Sequence, residues 1–327
     1  MMMNNYTYTP RAYHNFVNKI VSNSEQVAPR GLRTSEMTNV QLVTRDLQDR
    51  VVTDQGRRMN LGFAVAEWVA MMVGIDDIDF FIPHIKSYDK YSSDGIKLDG
   101  AYGGRVVNLQ NGSNQIMNCV GLLLEDPDTR QAIISIYNNH DAWNTNTKNK
   151  PCTLSIQFLV RNNKLDAYTM MRSNDIFRGL TYDWFVFTLI HEFISMQLDI
   201  ELGTYHHWVG SLHLYQSDEP ELEKMTRRRW PWTMSEMSET ITYEEVKLLS
   251  TFMKDINNGK SFDDVDSYQF LISPICKEFF YIHCAMVLRH VDKLASYNAF
   301  KKMNDQTLRH VVLPFLRSAE VYPRSSH

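Results

Sequence analysis

Cys152 follows Pro151 and opens a run of strand-forming residues, and Arg172-Ser173 closes the run after it. A cysteine is a nucleophile only as its thiolate, and a cationic neighbour favours that form. If the two runs form a hairpin, Arg172 lies beside Cys152 and supplies the cation. Without it, a cysteine at a strand start is an inert buried thiol. Glu67 is the second candidate. It is the one charge in the apolar stretch Leu61–Val73, so it must be paired, hydrated or functional, unless it simply faces solvent at a helix edge. His206, His207 and His213 do not suggest a metal centre, because adjacent histidines on a strand point to different sides and no third ligand has metal-site spacing. The basic and aromatic knot Arg227–Trp232 could hold phosphates or bases. It reads better as a charged loop with two packing tryptophans.

The elements that would position these residues follow from periodicity. Leu154–Val160 and Leu165–Met171 flank the turn-like tetrad Arg161-Asn-Asn-Lys164, which predicts a hairpin. Ala132–Tyr137 is rich in β-branched residues and predicts another strand. Val40 with Leu42, and Val51 with Val52, suggest strands around a polar turn. Helical spacing of Phe16, Val17, Ile20 and Val21 predicts a helix over Ala12–Val21. The near-continuous apolar run Leu61–Val73 predicts a buried helix. Phe185, Leu189, Phe193 and Met196 predict another over Tyr182–Ile200. After Tyr215 the pattern turns helical. Thr242–Glu245 is a capping box ahead of Val246, Leu249, Met253 and Ile256. Ser273-Pro274 starts a helix through His290, and a third runs from Gln306 to Ser318. The expectation is an α/β (α+β) fold in two regions, residues 1–215 and a helical extension over 216–327.

Composition narrows the class. The 327 residues are 43% hydrophobic and 22% charged, which excludes disorder as the main state. Lys+Arg 34 against Asp+Glu 38 leaves a net charge of -4, without the basic surplus of a nucleic-acid coat. No apolar run approaches the roughly 20 residues needed to span a bilayer. Met1–Thr9 lacks the pattern of a signal peptide. The four cysteines, Cys119, Cys152, Cys276 and Cys284, are widely spread and read as reduced thiols. The expectation is a cytoplasmic protein that engages neither membrane nor nucleic acid.

The stretch Pro151–Tyr215 resembles the thymidylate synthase superfamily. The resemblance rests on Pro151-Cys152 before a strand ending Gln157-Phe158, on Arg172-Ser173-Asn174-Asp175 followed by Gly179-Leu180, and on Gly210-Ser211-Leu212-His213-Leu214-Tyr215. Upstream, Glu67–Gly74, Asp99–Gly103, Asp126–Arg130 and Arg33-Thr34 are similar to further family segments, so the resemblance covers about residues 30–215. It implies a large mixed β-sheet covered by helices and a homodimer formed by sheet-on-sheet packing. It also implies methylenetetrahydrofolate as co-substrate and no metal.

The resemblance also implies roles. Cys152 would add to C6 of a pyrimidine, making C5 a nucleophile toward the one-carbon unit. Arg172 would bind the nucleotide phosphate and favour the Cys152 thiolate. Arg33, Ser173 and, from the partner subunit, the residue equivalent to Arg130 would complete the phosphate site. Gln157 is placed with the substrate-binding set. His213 and Tyr215 would hold the sugar 3′-hydroxyl, Glu67 would order water and move protons, and Asp175 would bind the pterin ring. Gly179 is grouped with Asp175 in the folate site, and Tyr88 and Tyr91 stand where the family has two tryptophans.

Departures point to a particular branch. Thr181-Tyr182-Asp183 replaces the family's Pro-Phe-Asn, and Asp183 at the Asn position resembles phage deoxycytidylate hydroxymethylases. An Asn amide matches uracil, donating to O4 and accepting from N3–H. A carboxylate accepts from the cytosine N4 amino group, and from N3 once N3 is protonated. Asp183 could instead be only the N-cap of a helix beginning near Trp184. Gln131, Ser211 and Thr153 also replace family residues. The sequence therefore predicts conversion of dCMP to 5-hydroxymethyl-dCMP. A CMP version, a dCMP methyltransferase and a catalytically silent nucleotide-binding or interaction protein are the alternatives.

Overall fold

The computed structural model describes residues 4–54, 56–144, 147, 149–225, 230–237, 241–266, 271 and 273–322. The chain divides into two compact units, each discontinuous in sequence. Residues 1–59, 114–144 and 151–233 make the first, and residues 60–113, 145–150 and 234–327 the second. Residues 60–113 thus belong with the helical last third.

A seven-stranded mixed sheet forms the first unit. Its strands are β1 (Asn4–Thr7), β2 (Glu25–Val27), β3 (Thr34–Thr44), β4 (Ile133–Ser135), β5 (Thr153–Arg161), β6 (Lys164–Asp175) and β7 (Glu201–Tyr215). The order across the sheet is β1-β3-β7-β6-β5-β4, with β2 paired to β3. The predicted hairpin is β5–β6. Asn162 and Asn163 at its tip have φ of 54° and 57°, a pair of left-handed residues that matches the twist of the strands and that asparagine tolerates. β6 and β7 run parallel, so a crossover must join them. That crossover is helix α3 (Leu180–Leu198), introduced after α1 (Tyr13–Ser22) and α2 (Gln115–Glu125). Phe185, Leu189 and Phe193 are buried as their spacing requires, while Met196 is half-buried at the exit. In α1 the buried face is Tyr13, Phe16, Val17 and Ile20, with Val21 on its flank.

Two predicted strands change. Val51 and Val52 are buried but lie outside any strand. The chain leaves the sheet after Thr44 because its charged residues are anchored elsewhere. Asp49 accepts from the Arg11 backbone and from Arg11 Nε at 2.9 Å, and Arg50 is fully buried against Glu192. The Ala132–Tyr137 strand shortens to β4. The Gln115 side chain satisfies both the N–H and the C=O of Ser135 at 2.8 and 3.0 Å, in place of another strand.

One irregularity shapes the site. Buried side chains alternate along β3, β6 and β7 as far as Val40, Met171 and Val209, and then the phase slips so that Met37, Asn174 and Leu212 are the buried ones. The slip runs across three neighbouring strands. At it, Asn39 takes φ of 52°, and a Cβ on Gly210 would lie 2.8 Å from the Arg172 carbonyl oxygen. Glycine lets the two backbones approach there.

The Arg50 Nη1–Glu192 Oε2 ion pair spans 2.6 Å with both side chains almost fully enclosed. Removing one partner of a buried pair strands the other's charge. Glu192→Ala is therefore expected to lower stability by about 3–5 kcal/mol in denaturant titration. The double change Glu192→Ala with Arg50→Leu is expected to cost less than Glu192→Ala alone.

The second unit is mainly helical. Leu61–Val73 is a helix with each residue buried except Glu67, which is half-buried. Asn60 caps it by accepting from Phe63 N–H, and Trp68 packs edge-on to Phe279 at 5.2 Å. Tyr243–Asn257, Pro274–Leu288 and Gln306–Ser318 form helices capped by Thr242, Ser273 and Asp305. The helix expected to reach His290 stops at Leu288. Glu245 also accepts the Ser273 backbone N–H at 2.7 Å, tying two helix starts together. Of the Arg227–Trp232 knot, Arg227, Arg228 and Arg229 lie outside the described residues. Trp232 is 55% exposed rather than packed. Among the described residues no helix is long and apolar enough to cross a membrane.

Candidate active site

Cys152 immediately precedes β5, and Arg172 lies near the end of β6, its antiparallel neighbour. Arg172 N–H donates to the Cys152 carbonyl at 2.9 Å and its Nε donates to the Pro151 carbonyl at 2.9 Å. These bonds aim the guanidinium, and Nη2 comes 3.6 Å from Cys152 Sγ. Ser173 Oγ also lies 3.6 Å from Sγ and accepts from Arg172 Nη1 at 3.1 Å. A half-buried thiol thus has a cation and a hydroxyl within reach of where a thiolate charge would sit.

Topology gathers the other residues. β3 and β5 run opposite to β6 and β7, so the starts of the first pair and the ends of the second meet at one edge of the sheet. That edge is the carboxyl end of the parallel strands, where open α/β sheets place ligands. It carries Arg33, exposed just before β3, with Cys152, Arg172, Ser173, Asp175, His213 and Tyr215. Asp175 pairs in register with His213, and the His213 and Tyr215 rings are 5.2 Å apart. Asp175 Oδ1 accepts from the Phe177 and Arg178 N–H groups, both at 2.8 Å, which leaves Oδ2 for another donor. Burial raises the Asp175 carboxyl above its usual range, and those two bonds and His213 oppose the rise.

Asp183 is not an N-cap. Helix α3 begins at Leu180 with Gly179 as its cap, so Asp183 lies inside the first turn. Its Oδ2 accepts from Asn174 Nδ2 at 2.6 Å. Burial pushes its carboxyl up to about 7, the Asn174 bond works against that, and the charge of Asp175 adds to it. Gly179 leaves room here, since a Cβ on it would meet Asp175 O at 3.2 Å and Asp183 Oδ2 at 3.4 Å.

Other expected residues lie elsewhere. Gln157 sits five residues along β5 from Cys152, about 16 Å at strand rise, and its Nε2 donates to the Arg130 carbonyl at 3.0 Å. Because β4 is antiparallel to β5, exposed Arg130 is beyond Gln157, toward the opposite end of the sheet. Neither reaches Cys152 of the same chain. Glu67, Tyr88 and Tyr91 are in the second unit. Tyr88 packs on Phe63 and Phe81 at 5.2 and 5.6 Å and meets Tyr91 at 5.4 Å. Among the described residues no group of three or more His, Cys, Asp or Glu is placed to hold a metal.

Two residues were not foreseen. Arg57 lies under the turn between β6 and α3, stacked 4.1 Å from the Phe177 ring centroid and donating to the Phe177 carbonyl and to Thr181 Oγ1. Asn174 holds Asp183. An amide one residue before Asp175, within a motif already singled out, was the available signal.

Known proteins resemble this chain in sequence. The family model described as thymidylate synthase matches residues 11–260, beyond the point at Tyr215 where the motif resemblance ends. The deoxyuridylate hydroxymethyltransferase of Bacillus phage SP01 is 33% identical over 217 residues, 63% of this chain and 57% of that protein. The protein of the same description from Delftia phage PhiW-14 is 30% identical over 213 residues, 60% of this chain and 58% of that one. The thymidylate synthase of Mycoplasma mobile is 28% identical over 153 residues, 46% of this chain and 51% of that one. The matched stretches thus span less than two thirds of these relatives. A thiol set against an arginine at the carboxyl end of a mixed sheet, matched by a family model across most of the chain, leads to one conclusion: this chain belongs to the thymidylate synthase family.

Proposed function

We propose that the protein transfers a one-carbon unit from methylenetetrahydrofolate to C5 of a pyrimidine nucleoside monophosphate and finishes it with water, giving a 5-hydroxymethyl nucleotide, with dCMP as preferred substrate. The observation that carries the substrate choice is Asp183, half-buried in the first turn of α3 with its carboxyl held by Asn174. The neutral acid offers one O–H and one acceptor oxygen. The O–H donates to cytosine N3, and the other oxygen accepts from the N4 amino group.

In this reading the Cys152 thiolate adds to C6, and N3 takes the Asp183 proton as C5 becomes nucleophilic. C5 bonds to the folate's methylene carbon. Loss of the C5 proton and departure of tetrahydrofolate leave a methylene group at C5. Water adds its oxygen to that carbon, losing one proton, and as N3 returns its proton to Asp183 the electron pair at C5 re-forms the C5–C6 double bond and expels the thiolate. Carbon, oxygen and protons balance without a hydride. Arg172 and Arg33 bind the phosphate, with Ser173 beside them. Asp175 Oδ2 is the acceptor for the pterin ring.

A homodimer belongs to the same proposal. The sheet surface carrying Met170 and Ile133, 41% and 42% exposed, also holds Tyr168 stacked on His206 at 4.5 Å. Packing two copies on this surface would cover it and let Arg130 serve its partner's phosphate site.

A second reading takes dUMP as substrate, favoured by the descriptions of the two phage relatives. Mass spectrometry of products from dCMP, CMP and dUMP, each with methylenetetrahydrofolate in ¹⁸O-water, separates them. We expect dCMP to gain a hydroxymethyl group carrying solvent oxygen, with tetrahydrofolate released. Stoichiometric dihydrofolate would instead make the protein a methyltransferase, and turnover confined to dUMP would select the second reading.

A further inference from the structure

Asn174 takes no chemical step in the proposed reaction, yet its amide is hydrogen-bonded to Asp183. We propose that Asn174 sets the donor–acceptor order of Asp183, so that discrimination between cytosine and uracil nucleotides depends on the pair. The inference rests on the proposed role of Asp183 at the base.

Asn174 is buried, turned inward by the phase slip in β6. Its Nδ2 donates to Asp183 Oδ2 at 2.6 Å and to Met171 Sδ at 3.0 Å, so both amide protons are placed. An oxygen already accepting a strong bond from Asn174 is a poor site for the acid proton, which then resides on Oδ1. Asp183 becomes a directed pair, with Oδ1 the donor and Oδ2 the acceptor. Cytosine presents an acceptor at N3 and a donor at N4. Uracil presents the reverse. A carboxylic acid free to move its proton between oxygens can match both bases, whereas one whose proton is placed matches one of them. Asn174 Oδ1, meanwhile, is buried and finds no partner among the described residues. An orphaned buried acceptor costs stability, so packing alone does not account for an asparagine here. Asn174 is in this sense a positioning residue, acting on the base through Asp183.

The test is kcat/KM for dCMP and for dUMP with the full chain and with Asn174→Ala and Asn174→Leu. Leucine refills the volume and removes the orphaned oxygen, so it is expected to stay folded, as a thermal melt would report, even if the alanine variant does not. The expected result is that the ratio of the two kcat/KM values moves toward one by about tenfold or more, the scale of one misplaced buried hydrogen bond. Equal losses for both nucleotides, with the ratio unchanged, would reduce Asn174 to a structural residue and overturn the proposal. A wild-type preference for dUMP would defeat the dCMP reading separately. The Asn174 proposal would then stand if the ratio still contracts in the variants.

Discussion

Cys152→Ser is expected to lower kcat on any pyrimidine nucleotide by about 10³-fold or more, the scale on which removing a nucleophile acts, while nucleotide binding survives. A serine hydroxyl is far less ionised near neutral pH than a thiol and adds poorly to C6. The substitution is clean because the contacts that aim Arg172 are made by main-chain groups, the Pro151 and Cys152 carbonyls. Serine keeps both. Arg172 should stay in place, and calorimetry should give a Kd for the nucleotide within a few-fold of wild type. Turnover near the wild-type rate would remove Cys152 from the reaction. Loss of binding together with turnover would mean that the thiol supports the site's shape instead.

Asp183→Asn is expected to exchange the substrate preference, weakening kcat/KM for dCMP and improving it for dUMP by about 5- to 160-fold in their ratio, from about 1–3 kcal/mol per mispaired buried group. The pH dependence makes this prediction sharper. Burial lifts the Asp183 carboxyl to about 7 from an ordinary value of 3.8, so it is neutral below pH 7 and charged above. The neutral acid can donate to cytosine N3; the carboxylate faces that lone pair with its own. In wild type, kcat/KM for dCMP should therefore fall as pH rises through about 7, and Asp183→Asn, which cannot titrate, should lack that inflection. Stability follows the same sign. The native state holds the Asp183 proton more tightly than the unfolded chain, so its contribution is complete below about pH 4 and is lost as pH rises through about 7. The variant should lose that downward slope in Tm. A pH profile identical in the two proteins would show that Asp183 does not titrate at the base.

Local pattern alone determined much of this protein. The β5–β6 hairpin follows from two asparagines between alternating strands, because that turn is encoded by its own residues. The helices Leu61–Val73 and Gln306–Ser318 follow from apolar spacing and caps. The motifs around Cys152, Arg172, Asp175 and His213 carried the family, because each is a short run whose spacing survives without its neighbours. Pairings between distant segments were left to the tertiary structure. Val51 and Val52 look like strand residues, but Arg50 is drawn to Glu192 on α3, and that buried pair takes the backbone off the sheet. Gln157 belongs to a motif near Cys152 in sequence, yet a strand extends about 3.3 Å per residue, which carries it to Arg130. Asn174 was the least legible. Strict alternation would put it on the face of Arg172, and only the slip shared by three strands, with Gly210 close against Arg172, turns it inward to Asp183. A period-two pattern is read along one strand, whereas a slip shared by its neighbours exists only once they pair.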